Sequence, residues 1–146
     1  LPESFKQYLR TFNGQTQSDS PHYFMGYNLL LPTDEIIETY QMQEEDFEGE
    51  SIADELNPNK IQPVLWDKGW VPFTDFEATT RICIDLNPAT NGVEGQVIML
   101  YPGIDYQSDE VVLANSFEEF TQKIWNILDA KDYSLEEGII EQDFLI

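Results

Sequence analysis

The chain has 146 residues, 41% of them hydrophobic, and sets 28 acidic side chains against 7 basic ones for a formal net charge of −21. That length supports one core, and three Trp, seven Tyr and nine Phe exclude the aromatic-poor composition of a disordered acidic chain. Phosphate binding needs clustered cations, whereas Lys6, Arg10, Lys60, Lys68, Arg81, Lys123 and Lys131 are scattered, which excludes nucleic acid as a direct partner.

Leu1, Phe5, Tyr8, Leu9 and Phe12 recur at helical spacing, so the chain is expected to open with an amphipathic helix that Pro2 begins and Gly14 ends. After a polar loop, Tyr23 to Leu31 reads as a strand interrupted at Gly26. Thr33 has the character of an N-cap, with Asp34 and Glu35 complementing the helix dipole and Ile36, Ile37, Tyr40 and Phe47 forming the side to be buried. The carboxylate-rich stretch from Glu44 to Asn59 reads as a helix end passing into a surface loop.

Strands are expected at Ile61 to Trp66, Val71 to Phe73, Arg81 to Leu86 and Gln96 to Tyr101. Apolar residues on both parities of Val97-Ile98-Met99-Leu100 mark a central strand covered on both faces. In Arg81 to Leu86 the alternation puts Ile82, Ile84 and Leu86 on one face and Arg81, Cys83 and Asp85 on the other. Asp85 on that face either pairs with Arg81 or presents a charge to a cleft. Ser116 with Glu119 forms a capping box, opening a last helix whose apolar stripe is Phe117, Phe120, Ile124, Ile127 and Leu128. Residues 129–146 form an acidic extension too apolar to be a spacer, expected to dock on the body or to help contact a partner.

The residues carry little catalytic chemistry. Cys83 between Ile82 and Ile84 reads as a packed hydrophobe, with no disulfide framework and no zinc spacing around it. His22 beside Pro21 is the one histidine, read as a partly exposed structural residue. Gly92 and Gly95 lack a following Lys-Ser or Lys-Thr and precede a strand, so they are turn glycines and not a phosphate loop. Counting a calcium loop from Asp46 puts Ser51 where glycine is required and Asn57 where glutamate is required. No cofactor and no metal are expected. No apolar run reaches membrane-spanning length and no signal-peptide pattern is present, so a cytoplasmic location is expected, although a leading helix or targeting segment before Leu1 would also be consistent with the missing methionine.

Gly69-Trp70-Val71-Pro72, the strand ending Asp85-Leu86-Asn87-Pro88, and the Gly92 to Val97 entry to the next strand follow one another in the order "GW-P", "DL-P", "G--GQV". This run resembles the SUKH superfamily, the Smi/Knr-type family. Leu1-Pro2 with Tyr8-Leu9 and Asn13-Gly14 is similar to the family's opening helix, and Val112 to Ala114 with Ser116 to Phe120 to its last strand and closing helix. Where the family usually carries a Gly-Asn or Gly-Asp pair before the "DL" strand, this chain has Glu77-Ala78-Thr79-Thr80.

The resemblance implies a single α+β domain over residues 1–146, a mostly antiparallel sheet of about five or six strands packed with about three or four helices. It also implies a protein-binding domain and no enzyme. In the bacterial branch that means an immunity protein neutralising a secreted polymorphic toxin, such as a nuclease. In the fungal branch it means a regulator of cell-wall glucan synthesis. A carbohydrate-active enzyme using two of the many carboxylates is the outside alternative. The expected partner is a basic toxin domain, and the expected contact residues are Trp66, Asp67, Trp70, Asp75, Glu77 and Asp85. For the two tryptophans, packing over a sheet end with the indole N–H reaching a backbone acceptor competes with a role as surface anchors.

Overall fold

A computed structural model describes residues 1–16, 18, 22–47, 50–52 and 58–134. Three helices are present: α1 (Glu3–Thr11), α2 (Thr33–Phe47) and α3 (Phe117–Ala130). Six strands accompany them: β1 (Leu29–Leu30), β2 (Trp70–Pro72), β3 (Thr74–Asp75), β4 (Arg81–Asp85), β5 (Gln96–Leu100) and β6 (Val112–Ala114). The main sheet is antiparallel throughout in the order β2-β4-β5-β6, and β1 pairs with β3 in a two-stranded antiparallel sheet, an α+β domain as expected. No helix among the described residues is long and apolar enough to cross a membrane.

The period-2 alternation of β4 sorts the core into two halves. Ile82 and Ile84 face a cluster built on Phe5 of α1 and on Phe117, Phe120 and Ile127 of α3. Cys83 faces a second cluster of Ile61, Trp66, Trp70, Ile98 and Val111. Helix α2 contributes to both, Ile36 to the first and Tyr40 to the second. β5, with both neighbours in place, is buried along Gln96 to Met99, as its two-sided apolarity requires.

Helix termini show where local signals suffice. Ser116 Oγ accepts from Glu119 N–H at 3.0 Å, and Glu119 answers by accepting from Asn115 N–H, one residue earlier than a capping box prescribes. α2 is capped from a distance instead: Asn13 Oδ1 accepts from both Thr33 N–H and Thr33 Oγ1–H, so Thr33 lies inside the helix and is not its N-cap.

Several expectations give way. Leu1 and Phe12 of the first stripe and Ile37 and Phe47 of the second are exposed, because each helix spans too little of the sheet to bury a whole stripe. Tyr23 to Leu31 is no strand: Met25 and Asn28 close a tight turn with Gly26 at φ 55°, and only Leu29–Leu30 extend. Ile61 to Trp66 is not a strand either, although Ile61 and Trp66 are buried; it pairs only through isolated bridges at Val64, to Ser51, and at Trp66. His22 is exposed. The acidic extension from residue 135 onward lies outside the described residues.

Candidate functional site: two ends of one hairpin

The six expected contact residues divide between the two ends of the β2-β3-β4 hairpin. At one end Trp70 stands opposite Asp85 in the register, and Asp85 is fully buried. Its Oδ1 accepts from Asn87 N–H at 2.9 Å and its Oδ2 from Gln96 Nε2 at 2.8 Å. Gln96 also donates to the Lys60 carbonyl and accepts from Val93 N–H, while Gly95 N–H donates to the Asp85 carbonyl at 2.7 Å. Asp67 accepts from Gly69 N–H and from the Asn87 amide. Burial pushes the Asp85 carboxyl up to about 6; the Gln96 and Asn87 donors hold it below where desolvation alone would take it. The Trp70 indole N–H favours the charged form weakly, since it lacks the geometry of a hydrogen bond.

These are the residues of the "GW-P", "DL-P" and "G--GQV" pattern, and their arrangement explains it. A Cβ on Gly92 would sit 2.2 Å from the Lys60 carbonyl oxygen, and one on Gly69 would sit 2.5 Å from the Asn87 Cβ. Backbone must pass that closely for Gln96 to reach both Asp85 and Lys60. The pattern therefore encodes an interlocked corner of the fold.

Trp66, Trp70 and Asp85 are at most 1% exposed, so the two indoles do packing work, their rings meeting edge to face at 5.8 Å. The backbone acceptor anticipated for them is missing, since both indole N–H groups are buried without a partner. Only Asp67, Asp75 and Glu77 of the six reach solvent on the unbound chain. Nor does Asp85 pair with Arg81: four residues along one strand face separates them by roughly 13 Å, and Arg81 Nε instead lies 3.0 Å from Asp75 Oδ1. Asp85 has no exposed surface from which to act on a substrate, and burial pushes the Cys83 thiol up, away from the reactive thiolate.

The other end of the hairpin is open. Residues 76–80 form its turn, with Phe76 and Thr80 bonded to each other and Ala78 N–H donating to Asp75 Oδ2 at 3.1 Å. Glu77 and Ala78 adopt φ of 47° and 59°, the left-handed conformation that a Gly-Asn pair takes without steric cost. Pairing of Leu29 with Asp75 brings β1 alongside, and a buried bond from Thr74 Oγ1 to Asn28 Oδ1 ties the 25–28 turn to it. Tyr27 at that turn's tip is 54% exposed and meets Phe76 at 5.4 Å and Tyr23 at 5.5 Å between ring centroids.

The result is a groove of about 310 Å³ with Tyr23, Tyr27, Phe76 and Leu29 to Leu31 on its walls and Glu35, Asp75 and Glu77 around it. An aromatic surface edged by carboxylates suits a cationic side chain, which gains from the ring faces and from the charge together. Asp75 and Glu77 were legible as candidates; Tyr23, Tyr27, Phe76 and Glu35 were not. Two tyrosines flanking Gly26 were the available signal, masked by reading the segment as extended.

A sequence model of the SMI1 / KNR4 family (SUKH-1) matches residues 1–123. The chain belongs to this family. It is 32% identical over 90 residues to KNR4/SMI1 homolog 2 of Debaryomyces hansenii, covering 62% of this chain and 15% of that protein. It is 32% identical over 80 residues to cell wall assembly regulator SMI1 of Saccharomyces cerevisiae, covering 55% of this chain and 15% of that protein. The alignments thus span about a seventh of the length of either relative. This SUKH domain carries its family's pattern in the sealed corner and departs from it at the turn bordering the groove.

Proposed function

We propose that this SUKH domain is a non-enzymatic protein-binding module that acts in the cytoplasm by covering a basic surface of a protein partner, the active domain of a secreted toxin. The observation that carries this reading is the solvent-facing groove in which Asp75, Glu77 and Glu35 surround an aromatic wall, on a chain of net charge −21. Opposite fields speed encounter, and an aromatic pocket that takes in a basic side chain slows release. A nuclease is basic where it holds phosphate, so such a surface competes with the nucleic acid for the same region.

A second reading, regulation of cell-wall assembly through protein contacts, is favoured by the similarity to the cell wall assembly regulator of Saccharomyces cerevisiae. Co-expression with the secreted protein encoded beside this chain separates the two. Rescue of growth supports neutralisation. Absence of rescue, together with recovery of cell-wall synthesis proteins in a pull-down, supports regulation.

A further inference from the structure

A second cavity lies on the far side of the same turn and differs from the groove in every respect. It measures about 190 Å³ and is lined by Arg81, Gln43, Trp66 and Tyr106 together with Leu65, Leu100 and Ile104. Among the described residues, no acidic side chain lines it. Its charged group is a guanidinium, and the Gln43 amide, the Tyr106 hydroxyl and the Trp66 indole can each add a donor. The Arg81 side chain is only 7% exposed, and its partner Asp75 lines the groove and not this cavity.

Buried donors are normally satisfied, and leaving one without a partner is unfavourable. Two stand orphaned here. Arg81 Nε is near Asp75 Oδ1 without hydrogen-bond alignment, and the Trp66 indole N–H has no partner. A guanidinium carries five N–H groups in a planar fork, so one ion pair through Nε leaves the two terminal nitrogens for a second oxyanion. Gln43, a buried side chain of α2, can add an amide donor and Tyr106 a hydroxyl.

We infer that the Arg81 cavity is a binding site for a carboxylate carried on a short apolar stem. The carboxylate takes the free edge of the Arg81 fork, supported by Gln43, Tyr106 and Trp66, while Leu65, Leu100 and Ile104 hold the stem. The planar carboxylate matches the planar fork of the guanidinium, which it can meet with two parallel hydrogen bonds. The volume fits one residue or a small acid and is too small for a nucleotide. This inference is independent of the identity of any partner at the groove.

The test is a titration of the full chain followed through the Trp66 indole N–H resonance. N-acetyl-glycyl-leucine serves as a peptide C-terminus, hexanoate as a free acid, and N-acetyl-glycyl-leucinamide and inorganic phosphate as contrasts. A saturable shift with either carboxylate but not with the amide is expected; tighter binding of the peptide identifies a chain terminus as the source, and tighter binding of hexanoate a free acid. Arg81→Lys, which keeps the pair with Asp75 but loses the fork, should weaken binding by about tenfold. Tyr106→Phe, which leaves Arg81 in place, should weaken it several-fold and serves if the lysine variant fails to fold. No shift with either carboxylate, an equal shift with the amide, preferential binding of phosphate, or unchanged affinity in a folded variant would overturn the inference.

Discussion

The two ends of the β2-β3-β4 hairpin are built on opposite principles. At the Asp85 end the carboxylate is drawn into a closed network with Asn87 and Gln96, and the glycines there let the chain approach itself closely. At the Glu77 end the turn accepts two non-glycine residues in left-handed conformation and leaves carboxylates and rings facing solvent. Gly69, Asp85, Gly92 and Gln96 are thus among the residues that hold the fold, whereas Asp75, Glu77, Tyr27 and Phe76 lie where the groove opens to solvent. Backbone strain kept at a solvent-facing turn is commonly stored where a surface is used.

The comparison breaks first at the closed corner. Gly92→Ala drives a Cβ into the Lys60 carbonyl and should cost about 3 kcal/mol, read as a lowered urea midpoint. Next comes pH. The Asp85 carboxyl is raised in the folded state above its ordinary 3.8 to about 6, so its contribution to stability is fully present below about 3.8 and is lost as pH rises through about 6. That loss is on the order of 2–3 kcal/mol. Self-repulsion among the surface acids acts in the same direction, so the measurement is a difference: unfolding of wild type and Asp85→Asn across this window should show a shallower decline in the variant, and parallel curves would remove Asp85 as the cause.

At the open end the effects on stability are smaller and of opposite sign. Ala78→Gly relieves the φ of 59° and should stabilise by about 0.5–1 kcal/mol, visible as a raised melting temperature. Glu77→Lys should change stability by less than about 0.5 kcal/mol. It should nevertheless slow association with a basic partner and flatten the salt dependence of that rate, measured by stopped-flow mixing at two ionic strengths. A variant that binds as wild type would take the groove out of the contact face.

Helix α3, β4 and β5 were legible in residue order alone, because a capping serine with a 3.6-residue stripe, strict alternation and two-sided apolarity are local signals, whereas β6 came with the family resemblance. Residues 61–66 were apolar enough to read as a strand, yet pack Ile61 and Trp66 into the core without regular pairing, since burial alone does not require a ladder. Among the site residues, Asp75 and Glu77 could be picked out by charge beside a turn. Trp66, Trp70 and Asp85 could be picked out as unusual but not as buried.

Length, aromatic content and charge determined by themselves that this acidic chain folds around a core, and alternation that β4 has two distinct faces, because hydrophobic periodicity and net charge are properties of order and composition; the α+β class came with the family resemblance. Which carboxylates face water, which arginine lines a cavity and which rings meet across the groove were decided only in three dimensions. Those relations join Tyr27 to Phe76 and Gln96 to Lys60, residues brought together by chain crossings that no local pattern records.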